Sequence, residues 1–176
     1  MDIESSRLIL EPVTLEEGKM LIKNPMTYYF HRKIPYEIDW PDYALKALLP
    51  FYLERLEADE NELGYGPWVI TDKHKGFVVG EVGFKGQPDK DKTVEIGYQV
   101  LKKYQNKGHA TEAVSALCQW AFHQGVKVIK ATCDKDNTAS QKVLQNNGFH
   151  KVDQRRGLVL YEVREVQESK YQSTNT

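Results

Sequence analysis

The chain has 176 residues, with 24 lysines and arginines against 25 aspartates and glutamates, so no global field points to nucleic acid or to an anionic membrane. That length predicts one domain with a sizeable core, and the N-terminus shows no apolar run of the kind a secretory leader or membrane span needs. Cys118 and Cys133 stand in no metal-ligand spacing and the five histidines are scattered; this predicts small buried thiols, no metal, and a reducing, cytoplasmic setting.

Arg7 to Pro12 (RLILEP) reads as a first strand. Thr14 with Glu17 three residues on makes a capping box, and the helix it opens should end before Pro25. Residues 24–42 are the least regular stretch, dense in Tyr28, Tyr29, Phe30, His31, Tyr36 and Trp40. Those aromatics either cover a sheet or build an acceptor pocket, and the residue types suit both. Asp39 or Asp42, with Pro41, then opens a helix whose stripe is Leu45, Leu48, Leu49, Tyr52, Leu53 and Leu56, with a kink expected at Pro50. Trp68–Asp72 and Phe77–Lys85 form a hairpin, and the charged turn after it leads into Thr93.

The stretch from Thr93 to Gly125 organises the rest. Thr93–Val100 (TVEIGYQV) has the β-branched and aromatic content of a half-buried strand. From Ala110 the apolar residues fall at Ala113, Val114, Leu117, Cys118 and Ala121, a helical stripe with Gly125 placed to close it. The turn between them is Gln105-Asn106-Lys107-Gly108-His109-Ala110. A glycine there serves turn geometry alone as readily as it serves a ligand. Free N–H groups at a helix start, beside Lys107, also suit an anion. Neither a P-loop nor a dinucleotide-binding glycine pattern is present. Val126–Cys133 reads as the next strand, Asn137 as the N-cap of a short helix ending at Asn147-Gly148, and Phe149–Gln154 with Leu158–Arg164 as closing strands. The polar residues after Glu165 read as a frayed tail.

The spacing Q-x-x-G-x-A at Gln105–Ala110, with EIGY, YQNKG and HATEA around it, resembles the acetyl-CoA pyrophosphate loop of the GCN5-related N-acetyltransferases (GNAT). N-x-x-S from Asn137 with a later G-F, and R-L-x-L-x-P before a capped helix, match the same family; the branch most similar holds the ribosomal-protein alanine acetyltransferases (RimJ/RimL-like). The resemblance implies an α/β GNAT fold over residues 1–165, followed by a polar tail, 166–176. It implies a mixed sheet of about seven strands, about four helices, and a parallel but splayed pair made of Thr93–Val100 and Val126–Cys133.

It further implies that acetyl-CoA, as cosubstrate, lies along Tyr98, Gln99 and Val100. The pyrophosphate would rest on Gln105, Asn106, Lys107, Gly108, His109 and Ala110, with Asn137 on the pantetheine arm. Glu95 is then the candidate base or a satisfied structural group beside the pocket. A glutamate that some members carry on the following strand is Thr132 here, and the common acidic tyrosine is Leu144. Ser140 is the substitute, either assisting the CoA sulfur or capping its own helix. The expected function is acetyl transfer from acetyl-CoA to a primary amine by direct attack in a ternary complex. The alternative is a catalytically silent acyl-CoA-binding module of the same fold. The expected partners are acetyl-CoA and an amine, without nucleic acid or membrane, in a monomer or homodimer.

Overall fold

Two short strands open the chain, β1 (Ile3–Glu4) and β2 (Leu8–Pro12), followed by three helices: α1 (Leu15–Lys23), α2 (Pro25–Arg32) and α3 (Tyr43–Ala58). Strands β3 (Pro67–Asp72), β4 (Val78–Phe84) and β5 (Thr93–Val100) come next, then α4 (His109–His123), β6 (Val128–Asp134), α5 (Thr138–Asn146), β7 (His150–Arg155) and β8 (Leu158–Arg164). This computed structural model describes residues 1–166; the expected tail lies, apart from Val166, outside the described residues.

Among the described residues the strands form one eight-stranded sheet in the order β1-β2-β3-β4-β5-β6-β8-β7, in which β5 and β6 make the one parallel pair. The count exceeds the expected seven because β1, two residues long, pairs Ile3 with Leu10 at the edge. The fifth helix is α2, inside the stretch read as irregular. Pro25 ends α1 and also sits at the first position of α2, where Asn24 accepts a hydrogen bond from the Met26 N–H at 3.1 Å. The Thr14–Glu17 capping box is present in both directions.

Helices cover both faces of the sheet. On one face α4 and α5 bury Val114, Leu117, Ala121 and Leu144 against Leu10, Trp68, Ile96 and Ile129. A fully buried leucine such as Leu117 contributes roughly 1.5–3 kcal/mol. On the other face α1 to α3 pack Leu21, Leu49 and Tyr52 with Tyr28, Tyr29 and Trp40 over Val69 and Val78. The aromatics of residues 24–42 thus divide: Tyr28, Tyr29 and Trp40 are core, while Phe30 and Tyr36 are exposed. The α3 stripe needs one correction. Leu48 is exposed, because the helix packs along Leu45, Leu49, Tyr52, Leu53 and Leu56. Cys118 and Cys133 are free and buried. No helix among the described residues is long and apolar enough to cross a membrane.

Candidate active site

The two parallel strands part after three residue pairs. Thr93, Val94 and Glu95 pair with Val128, Ile129 and Lys130, whereas β6 runs on alongside β8 as far as Asp134↔Leu158. The odd-numbered residues of β5 direct their backbone groups to β4: the Glu95 carbonyl accepts from Lys85 N–H at 3.0 Å, and Leu101 N–H donates to the Val79 carbonyl at 2.9 Å. Backbone groups alternate edges along a strand, so those of Tyr98 and Val100 turn toward the gap. Gln105 Nε2 donates to the Val100 carbonyl at 2.9 Å. That leaves both backbone groups of Tyr98 and the Val100 N–H open to a strand-like ligand.

A cleft of about 780 Å³ opens in this gap. Strand β5 lines it with Tyr98, Gln99 and Val100, the turn with Gln105, Asn106, Gly108, His109 and Ala110, and α5 with Asn137 and Ser140. Gly108 caps α4 in the left-handed region, at φ 79°, and supplies no side-chain hydrogen bond. The first-turn N–H groups of α4 therefore face the cleft without a side-chain partner, at the positive end of the helix dipole. Lys107 is the exception among the turn residues. Its ammonium donates to the Lys103 carbonyl at 3.3 Å and its side chain does not line the cleft.

The turn is braced by the residue that precedes β2, a role that sequence reading missed. Arg7 Nη1 donates to the Lys107 carbonyl at 2.8 Å, and Arg7 Nε donates to Glu112 Oε2 in the first turn of α4 at 2.7 Å. Burial draws the Glu112 carboxyl upward, but hydrogen bonds from Ser5 and Arg7 outweigh it and hold the group below its ordinary range. The two residues lie 105 positions apart, so only the RLILEP word hinted at a function for Arg7.

At the far side of the cleft the Tyr98 hydroxyl lies 2.8 Å from Ser140 Oγ and donates to the Ser140 carbonyl at 3.1 Å. Burial pushes the Tyr98 phenol up to about 12 despite the Ser140 bond, so it is protonated at neutral pH. Asn137 Oδ1 accepts from the Ser140 N–H at 3.0 Å, so the cap of α5 is supplied by Asn137. Burial also raises the Cys133 thiol, with Ser140 pulling the other way.

Glu95 stands apart from these groups. Its side chain is 36 % exposed, is ion-paired with Lys85, and does not line the cleft. A second carboxylate, unmarked by any motif, lies nearer to Gln99. Glu81 on β4 pairs with Gln99 across the sheet and accepts a hydrogen bond from Trp40 Nε1 at 2.7 Å.

A parted parallel pair that ends at an open helix N-terminus suits a pantetheine arm and its pyrophosphate. A model of the acetyltransferase (GNAT) domain matches residues 7–150 of the chain. The chain belongs to the GNAT family of acetyl-CoA-dependent N-acetyltransferases. This acetyltransferase is similar to the uncharacterized N-acetyltransferase YjdG of Bacillus subtilis, 31% identical over 150 residues that span 84% of this chain and 88% of that protein. In fold it resembles the ribosomal-protein-S5-alanine acetyltransferase of Vibrio fischeri, at 21% identity and a TM-score of 0.64, over 93% of this chain and 96% of that one. It also resembles the microcin C7 self-immunity acetyltransferase MccE, solved with acetyl-CoA and AMP, at 20% identity and a TM-score of 0.59, over 92% and 94% of the two chains. At such identities the likeness is one of fold.

Proposed function

We propose that this acetyltransferase moves the acetyl group of acetyl-CoA directly to a primary amine, on a protein N-terminus or a small molecule, with both substrates bound together. The observation that carries the proposal is the cleft itself. One strand edge is left unpaired, an anion-ready helix start lies at one end, and the Ser140 hydroxyl lies on the other side. In this reading the open groups of Tyr98 and Val100 hold the pantetheine arm. The residues from Gln105 to Ala110 hold the pyrophosphate, Lys107 through its backbone and its charge. Asn137 positions the arm beside Ser140.

The reaction asks three things of the chain. A carboxylate takes a proton from the acceptor's ammonium. The freed nitrogen lone pair then forms the bond to the thioester carbonyl carbon. The C–S bond breaks with its electron pair on sulfur, the nitrogen's second proton passes to that thiolate directly or through solvent, and the Ser140 hydroxyl donates a hydrogen bond to the sulfur as it leaves. Glu95 is the carboxylate proposed from the sequence, and Lys85 holds one of its oxygens, Oε1. A wild-type rate in Glu95→Gln at neutral pH assigns the proton to another group.

The reading is tested by release of free thiol from acetyl-CoA across a panel of protein N-terminal peptides, polyamines, amino sugars and aminoglycosides. Amine-dependent release supports transfer. Tight acetyl-CoA binding without release by any amine supports the silent acyl-CoA-binding module instead.

A further inference from the structure

The face of the sheet beneath α1 to α3 carries a feature that the cleft alone does not explain. Strands β4 and β5 oppose Glu81 with Gln99 and Gly83 with Gly97, and directly opposed residues share a face. Glu81, Gly83, Glu95, Gly97 and Gln99 therefore lie on one side, with Tyr98 on the other. A side chain added at Gly83 would strike the Gly66 carbonyl at 2.4 Å, so that glycine is covered. A side chain added at Gly97 would meet nothing within 4 Å. The β5 backbone is thus bare at Gly97, flanked by Gln99 on one side and the Lys85–Glu95 ion pair on the other. That opening leads to the strand edge where a thioester would pair.

We infer that Glu81 is the group that takes the proton of an amine arriving over Gly97, directly or through one water. The inference rests on acetyl transfer to an amine being the reaction. Adjacent strands lie ~4.8 Å apart, so a glutamate side chain on β4 plus one water spans to the free edge of β5. Trp40 Nε1 occupies one oxygen, Oε2. The other makes no hydrogen bond among the described residues and is not sealed from solvent, which leaves a lone pair for the incoming proton. Glu95 differs in that its engaged oxygen, Oε1, pairs with the Lys85 ammonium, and neither carboxylate is itself part of the cleft wall.

The surroundings of Glu81 suit a base at neutral pH. Burial, with the charge of Asp42 adding to it, pushes the carboxyl up to about 7, while the Trp40 bond pulls the other way. Trp40 and Asp42 face it from the segment leading into α3, Gln99 opposes it on β5, and Val69 opposes it on β3. In the step itself the N–H bond of the ammonium breaks and its electron pair stays on nitrogen for attack at the carbonyl carbon. Glu81 becomes neutral and afterwards returns the proton to solvent.

The test is the pH dependence of kcat/KM for thiol release, measured with acetyl-CoA and an active amine from the panel. Glu81→Gln keeps an acceptor for Trp40. It should lower the neutral-pH rate by ~10²–10⁴-fold and abolish the rise through neutrality, with CoA affinity by calorimetry unchanged. Asp42→Asn retains a good helix N-cap and removes the negative charge that raises Glu81, so the rise should move to lower pH. A merely structural Glu81 would leave that profile in place. Wild-type rate and profile in Glu81→Gln overturn the assignment, as does an unmoved profile in Asp42→Asn, which carries the test alone if Glu81→Gln does not fold. A wild-type chain that releases no thiol with any amine overturns the reaction itself and the assignment with it.

Discussion

Tyr98 Oη stands 2.8 Å from Ser140 Oγ, linking the unpaired end of β5 to the first turn of α5 across the cleft. Asn137 satisfies the Ser140 N–H, so the serine hydroxyl is free of capping duty and is oriented by a phenol instead. With the Tyr98 proton turned to Ser140 Oγ, the serine's own proton is left to point at a sulfur atom lying in the cleft.

Ser140→Ala should therefore lower kcat by roughly tenfold to a hundredfold, the size of one charge-assisted hydrogen bond, with acetyl-CoA affinity nearly intact. Tyr98→Phe should lower kcat by less, and the double variant should be no slower than Ser140→Ala, because Tyr98 acts through the serine. Steady-state kinetics of the three variants check this. Additive losses would separate the two hydroxyls.

Gly108→Val should weaken CoA binding strongly. The residue sits at φ 79°, where a β-branched side chain is strained by ~1–2 kcal/mol, and its Cβ would stand at the helix start proposed to receive the phosphates. Arg7→Ala should weaken binding less, by loosening the turn it braces through the Lys107 carbonyl. Calorimetric titration with CoA reads both. Unchanged affinity in a folded Gly108→Val would move the anion site elsewhere.

Legibility in the sequence followed distance along the chain. The strand, turn and helix from Thr93 to Gly125 were readable because hydrophobic period, β propensity and a glycine change within a few residues. The parting of β5 from β6 came from the family resemblance, and the register shows it after Glu95. Helix α2 is hidden in the sequence because Pro25, which reads as a stop, also starts the next helix. Leu48 was misplaced because α3 is apolar beyond its buried face, with Phe51 exposed as well. Glu81 could not be found at all. In VVGEVGF it is one charge in a strand, and its character comes from Trp40, 41 positions earlier. Expected strand ends differ from those observed by one or two residues, as at β6, where pairing begins at Val128.

Gly97→Leu should raise the KM for the amine while leaving CoA affinity near wild type. A side chain there has free space in the folded chain, so it fills the approach without disturbing the core. Kinetics with the amine varied at saturating acetyl-CoA check the prediction, and an unchanged amine KM would place the acceptor's path elsewhere.

Stability should also depend on pH through Glu81. Its carboxyl is raised from 4.5 to about 7, so it holds its proton more tightly folded than unfolded. The stability it contributes is full below its unfolded value and is lost as pH rises through about 7. Glu81→Gln removes that loss. The variant should gain on the wild type between about pH 5 and about pH 8, by on the order of 1–3 kcal/mol. Urea unfolding at the two pH values measures this, and a constant difference would mean that Glu81 is as well solvated folded as unfolded.

In the proposed reaction the amine attacks the bound thioester directly, with no acetyl-enzyme between. It is tested most directly by following free thiol and intact protein mass together, first with acetyl-CoA alone and then after adding an active amine. Direct attack gives an unchanged protein mass and no thiol burst until the amine arrives, then thiol and acetylated amine in equal amounts. A protein one acetyl group heavier, formed with a burst of thiol before any amine is present, would contradict it and direct the chemistry through Ser140 or Cys133.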